Sequence, residues 1–313
     1  MENNKNIIRL DIVYTYVDSN DKKWLKQKKR DCNINSVYRY NSDLEEIKYS
    51  VYSVEKYFKN KFRNIYFVTN NGKLPKCIEK KDNYIPLLYT DLVGYRTYNS
   101  TVIEANLHKI DGLSEYYLYF NDDMILMKKL KISDFIDKNT NKLIWYKETS
   151  KIFNLATVGP EFISSFLPLF TKADNGTIQA RNKIYKMIKI DSNNIGQMGH
   201  NPRIFKKSMV EKLCNKFKKE LKKNKDRMIR SEDDFTFCDA FLFYNIKKNK
   251  IIFTDKYKTK ILIQFDNSTI SKIYNNTDNI KNYHFLCIED IRDNNKVDKN
   301  IKQILNKKFK ISN

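Results

Sequence analysis

Glycine and proline are scarce in this 313-residue chain, at seven and five, and tryptophan occurs twice. None of the seven glycines forms a G-x-G-x-x-G fingerprint or a P-loop, so nucleotide sites that wrap phosphate in glycine-rich backbone are excluded. The five cysteines (Cys32, Cys77, Cys214, Cys238, Cys287) are an odd set with no C-x-x-C pair, which argues against a disulfide framework or a zinc knuckle. They read as reduced cytosolic thiols. No run approaches the roughly 18 apolar residues of a membrane span. The opening MENNKNIIRL also lacks the apolar core of a signal peptide. The expectation is a cytoplasmic protein whose membrane contact, if any, is peripheral and electrostatic at the inner face.

Hydrophobic residues make up 41% of the chain, enough for a sizeable core, and a disordered chain is excluded. The formal charge is +22, which calls for an anionic partner. Part of the excess follows from a general preference for Lys, Asn and Ile. The basic residues are scattered instead of clustered with exposed aromatics on one face, so nucleic acid is not the expected partner. The basic run from Lys216 to Lys225 reads as a solvated helix face.

The β-branched and aromatic run Leu10 to Val17 predicts a strand entering the polar loop Asp18-Ser-Asn-Asp21, with a helix near Lys22 to Arg30. Ser42-Asp-Leu-Glu45 is a capping-box pattern, and Ile47, Val51, Val54 and Phe58 recur at helical spacing, predicting a helix over 43–58. Strands are expected at 64–69, at 84–89 and at Tyr116 to Phe120, with a helix over 101–109. Strand-like pieces fall within 251–264, and the last thirty residues read as a helical tail. The expected fold is α/β, a largely parallel Rossmann-like (GT-A-like) sheet flanked by helices, with a helical C-terminal portion. Three parts are expected: 1–140, binding nucleotide-sugar and metal; 141–250, helical and completing the site; and 251–313, strands and tail.

In such sheets ligands bind beyond the carboxyl ends of the strands, where Asp18 and the pair Asp122-Asp123 fall. Two adjacent carboxylates after an apolar strand repel each other, and a divalent cation removes that cost. Mg²⁺ or Mn²⁺, held by one or two carboxylates plus substrate phosphates, suits this pattern. A simple polar turn at the strand end is the alternative. Glu104 and His108 stand at i and i+4, where a carboxylate can orient an imidazole or merely form a surface pair. His200 lies in Met-Gly-His-Asn-Pro-Arg203, and Arg230 opens Arg230-Ser-Glu-Asp-Asp234, which also reads as a helix start capped by Ser231.

Together these segments resemble the conserved regions of the Stealth family of sugar-1-phosphate transferases. The first region is matched by Asp11-Ile-Val-Tyr-Thr-Tyr-Val-Asp18 with Asp21 and Trp24. The second is matched by Glu46-Ile-Lys-Tyr-Ser-Val-Tyr-Ser-Val-Glu55, Arg63-Asn-Ile-Tyr-Phe-Val-Thr69, Asn99 to His108 and Tyr119-Phe-Asn-Asp-Asp123. His200-x-Pro202 is similar to the third and Arg230-Ser-Glu-Asp233 to the fourth. Departures from the family pattern are Tyr16 for Trp, Ser19 for Gly, Tyr52 for Arg, Arg203 for His and Ile229 for Phe.

The resemblance implies a phosphotransferase of capsular or other cell-surface polysaccharide synthesis. It would move a hexose-1-phosphate, an N-acetylhexosamine-1-phosphate by resemblance, from a UDP-sugar donor to a saccharide hydroxyl with release of UMP. A conventional glycosyltransferase releasing UDP is the alternative. The roles expected are donor contacts from Tyr14, Thr15, Asp18, Asn99, Ser100 and Arg203, metal ligation by Asp122 and Asp123, and charge stabilisation by Arg230. Proton acceptance is expected from His200, with His108 beside Glu104 in reserve.

Overall fold

A computed structural model describes residues 10–18, 20–34, 45–148, 179–191, 195–196, 198–263, 283–289 and 295–311. Five strands form the main sheet in the order β3-β2-β1-β4-β7. These are β1 (Leu10–Tyr16), β2 (Ile65–Thr69), β3 (Tyr84–Leu88), β4 (Tyr116–Asn121) and β7 (Arg203–Lys206). The first four run parallel and β7 joins antiparallel against β4. The largely parallel α/β arrangement expected from the alternating pattern is therefore the one formed. Leu10 to Tyr14 and all of β2 are buried, as central parallel strands covered on both faces require, with Asp11 the one charged residue among them.

Helix α1 (Lys22–Cys32) starts where Asp21 accepts hydrogen bonds from the amides of Lys23 (3.0 Å) and Trp24 (3.1 Å), and it ends at Asn33 in the left-handed region. Helix α2 (Glu46–Tyr57) is shorter than the expected 43–58. Glu45 has φ 55°, a left-handed conformation that an α-helix cannot continue through, so the chain becomes helical only at Glu46. Ser42, the expected cap, lies outside the described residues. Helix α3 (Tyr89–Val93) follows β3, and α4 (Ser100–Asn106) is capped by Asn99, whose side chain accepts from the Thr101 amide at 3.0 Å. After α4 the chain tightens into a 3₁₀ turn, Leu107–Lys109.

Beyond β4 the chain leaves the main sheet. Strand β5 (Met124–Leu126) belongs to a second sheet of order β5-β10-β9, where β9 is Thr259–Ile263 and β10 is Phe285–Glu289. Strands β6 (Leu143–Tyr146) and β8 (Ile251–Thr254) pair separately. A helix over 179–188 (α5), α6 (Lys207–Lys216), α7 (Lys218–Lys225) and α8 (Phe237–Lys247) cover the β7 side. α9 (Asn295–Phe309) closes the described chain, with Phe309 buried beside Tyr52 and Tyr57.

Four strands went unforeseen: β5, β6, β7 and β10. β10 lies in the stretch expected to be a helical tail. Its Phe285 to Ile288 are buried, and a four-residue apolar run carries too few periods to separate strand from helix. β7 is equally short, and it is held to its neighbour when the Trp145 indole donates to the Ile204 carbonyl at 2.7 Å.

Candidate active site

Parallel strands with matched register bring their carboxyl ends to one edge. Thr15 stands opposite both Val68 and Asn121, so the loops after β1, β2 and β4 meet there. A cleft of about 730 Å³ opens at that edge. Thr15 and Asp18, Thr69 and Asn70, and Asn121 to Asp123 form its floor, one group after each strand. Asp18 is fixed by its own turn: its amide donates to Asn70 Oδ1 at 2.9 Å and its carboxylate accepts from the Asn20 amide at 3.0 Å.

Asp122 and Asp123 occupy the crossing from β4 into β5, where the chain changes sheets. The Ile288 amide of β10 donates to the Asp123 carbonyl at 3.1 Å and fixes this corner. Burial, then Asp123, then Glu46 push the Asp122 carboxyl well above the usual carboxylate range. That is the expected response of an acid crowded by other acids in a recess with little water.

Glu104 reaches the cleft from the last turn of α4. Its carboxylate accepts from the Tyr119 hydroxyl at 3.3 Å and from the Cys238 thiol at 3.4 Å, while Thr15 and Tyr119 share a hydrogen bond at 3.0 Å. Arg203 lies behind this network, buried, 3.8 Å from Cys238 Sγ and 3.4 Å from the Gly199 carbonyl. It does not line the cleft, contrary to the donor contact expected of it; as the first residue of β7 its side chain points into the layer beneath Glu104 and Tyr119.

Three further candidates sit elsewhere than expected. Tyr14 is fully buried, one position too deep in β1 to reach the edge, and its hydroxyl pairs with Ser50 at 2.8 Å. Asn99 is buried as the cap of α4, its amide donating to Asp234 at 2.7 Å, and it leaves the cleft to its neighbour Ser100. His108 does not pair with Glu104. The 3₁₀ turn breaks the i,i+4 geometry, and the imidazole is buried and pushed down to about 4 by burial and by Lys109. A ring held neutral this way is ill-suited to act as the reserve base.

Arg230 lines the cleft and is exposed. Buried Asp234 shapes its loop by accepting from the Ser231 amide (3.0 Å), Arg227 (3.2 Å) and Asn99 (2.7 Å), which ties the loop to the start of α4. His200 does not itself line the cleft but stands one thiol from it. Cys287 Sγ is 3.2 Å from Asp123 Oδ2 and 4.0 Å from His200 Nδ1. Gly199 permits this loop, because a Cβ there would meet Asn201 Nδ2 at 2.1 Å and the Tyr146 and Lys147 carbonyls at 3.1 Å.

The cleft is therefore lined by both acids and cations. Among its lining residues are three that the motifs did not mark as site residues: Trp24 and Lys28 of α1, and Tyr98 before α4. Only Trp24 carried a signal, as part of the first family motif. Among the described residues no three His, Cys, Asp or Glu side chains are arranged to hold a metal on their own. The Asp122-Asp123 carboxylates, whose negative charge Glu46 reinforces, fit a hard cation that takes its remaining oxygens from a bound phosphate. No helix among the described residues is long and apolar enough to cross a membrane.

Comparison with known proteins bears out the resemblance read from the motifs. Residues 39–144 match the family model described as Stealth protein CR2, conserved region 2. The chain is 28% identical over 304 residues to capsular polysaccharide phosphotransferase fcs1 of Haemophilus influenzae, covering 92% of this chain and 80% of that protein. It is 30% identical over 248 residues to capsular polysaccharide phosphotransferase cps1A of Actinobacillus pleuropneumoniae, covering 74% of this chain and 64% of that one. Among solved structures, galactosyltransferase LgtC in complex with donor and acceptor sugar analogues aligns over 96% of this chain and 95% of its own, with TM-score 0.46 and 10% identity.

Proposed function

We propose that this chain, which carries conserved region 2 of the Stealth proteins and is a relative of capsular polysaccharide phosphotransferases, is a phosphotransferase of capsule or cell-surface polysaccharide synthesis that moves a sugar-1-phosphate from a UDP-sugar to a saccharide hydroxyl. The observation that carries this reading is the Asp122-Asp123 pair, under the added negative charge of Glu46, in a cleft that Arg230 also lines.

The floor after β1 and β2, with Thr15, Asp18 and Asn70, receives the nucleoside end of the donor. Asp122 and Asp123 are the residues that would hold Mg²⁺ or Mn²⁺, which supplies charge neutralisation on the pyrophosphate oxygens. Arg230 approaches the transferring phosphoryl group from the wall and stabilises its equatorial oxygens. His200, one thiol from Asp123, accepts the proton of the attacking hydroxyl. The acceptor oxygen bonds to the phosphorus that carries the sugar, the bond from that phosphorus to the bridging oxygen breaks, and UMP leaves. Glu104, fixed by Tyr119 and Cys238, orients hydroxyl groups of the donor sugar or the acceptor.

The chemistry is tested by incubating the protein with UDP-N-acetylhexosamines, Mn²⁺ and short saccharide acceptors and identifying the released nucleotide. UMP with a phosphodiester product is expected. UDP release would mean attack at the anomeric carbon, and the protein would then be a glycosyltransferase.

A further inference from the structure

Lys28 is the odd member of the cleft wall. Its ammonium lies 5.1 Å from the Trp24 ring centroid and 5.8 Å from that of Tyr98, and these two rings meet edge to face at 5.6 Å. The two aromatics thus form a frame that holds the amine toward the cleft which all three residues line. The acid three positions along α1 does not neutralise it. Asp31 accepts instead from Arg96 (3.0 Å), the Tyr98 hydroxyl (2.9 Å) and Gln27 (2.9 Å). Among the described residues Lys28 has neither a hydrogen bond nor an ion pair, although it is half-buried and burial lowers its pKa.

A cation that has lost part of its water without gaining a counter-charge is an unfavourable arrangement that an entering anion relieves. The exposed lysines of α7 keep their hydration and gain little from one. We propose that Lys28, framed by Trp24 and Tyr98, is a phosphate-binding residue of the cleft that grips an anionic group of the substrate in the same cleft as Asp122 and Asp123. This rests on the transferase reading, and two parts of the substrate could supply the group: the pyrophosphate of the donor, or a phosphodiester already present in a growing acceptor chain.

Calorimetric titration separates these sources. Native protein, Lys28→Met and Lys28→Arg are each titrated with UDP in the presence of Mn²⁺ and with N-acetylglucosamine 1-(methyl phosphate), a simple sugar phosphodiester, and thermal melts confirm that the variants fold. Lys28→Met is expected to weaken UDP binding about tenfold or more, with Lys28→Arg recovering most of it. An unchanged affinity for UDP with a tenfold loss for the phosphodiester would still support an anion-gripping Lys28 and assign it to the acceptor. Equal affinities of native protein and Lys28→Met for both ligands, with the variant folded, would overturn the proposal. Failure of native protein to bind UDP at all would instead remove the nucleotide-sugar reading, and this inference with it.

Discussion

The two ends of the main sheet both carry carboxylates withdrawn at least in part from water, and their surroundings are opposite. At the amino end of β1, Asp11 is wholly buried and satisfied: Arg63 donates to it at 3.1 and 2.7 Å, the Asn64 amide at 3.1 Å and the Ser114 amide at 2.7 Å. At the carboxyl end of β4, Asp122 is crowded by Asp123 and Glu46 and its carboxyl is pushed upward. Both acids fall in family motifs, yet the first closes the fold and the second burdens it. A carboxylate surrounded by donors is structural, whereas carboxylates surrounded by carboxylates await a cation.

The largest effect that sharpens this contrast is on turnover. Asp123→Ala is expected to lower the rate of nucleotide release by a factor on the order of a thousand or more, with the far-UV spectrum unchanged. Arg230→Ala should cost about a thousandfold in the same assay, because a charge-stabilising arginine acts mainly on the transition state. Near-native rates in either would remove that residue from the mechanism.

Asp11→Asn is expected to act on stability instead, lowering the free energy of unfolding by about 3 kcal/mol in chemical denaturation, since a buried network built around a charge loses it. A milder change would mean that the amino end tolerates a neutral side chain and that the contrast is overdrawn. His108 sharpens it through pH. Its folded pKa of about 4 lies below the ordinary histidine value of 6.5, so the stability it contributes is present above pH 6.5 and is lost as pH falls from there towards 4. His108→Gln should flatten the acid side of a melting-temperature profile over that range.

The smallest effect carries the opposite sign. Asp122 has its folded pKa raised, so its contribution to stability is complete below the ordinary carboxylate range and is lost as pH rises through the folded value. Asp122→Asn should therefore stabilise the metal-free protein at neutral pH by on the order of 1 kcal/mol while impairing turnover. A destabilised variant would mean that the site gains from this acid without any ligand.

Much of this was legible because burial leaves a mark on composition. β1, β2 and β4 are predominantly apolar and aromatic runs, and a run that stops at Asn121-Asp122-Asp123 announces polar groups at a sheet edge. Other features depend on tertiary context that no local pattern encodes. Tyr14 and Tyr16 are two positions apart on one strand, but only Tyr16 lines the cleft, because Tyr14 lies deeper beneath α2. Arg203 was expected at the donor and instead supports Glu104 from behind, a difference decided by how β7 pairs with β4. Lys28 is one among 59 Lys and Arg residues, and nothing in its neighbours along the chain sets it apart until Trp24 and Tyr98 close around it.

The most direct test is the binding of UDP followed by calorimetry with Mn²⁺ and again with a chelator. If the crowded acids are relieved by a cation shared with the pyrophosphate, native protein will bind UDP much more tightly with Mn²⁺, and Asp123→Asn will lose that gain. Equal affinity with and without the metal would contradict this directly.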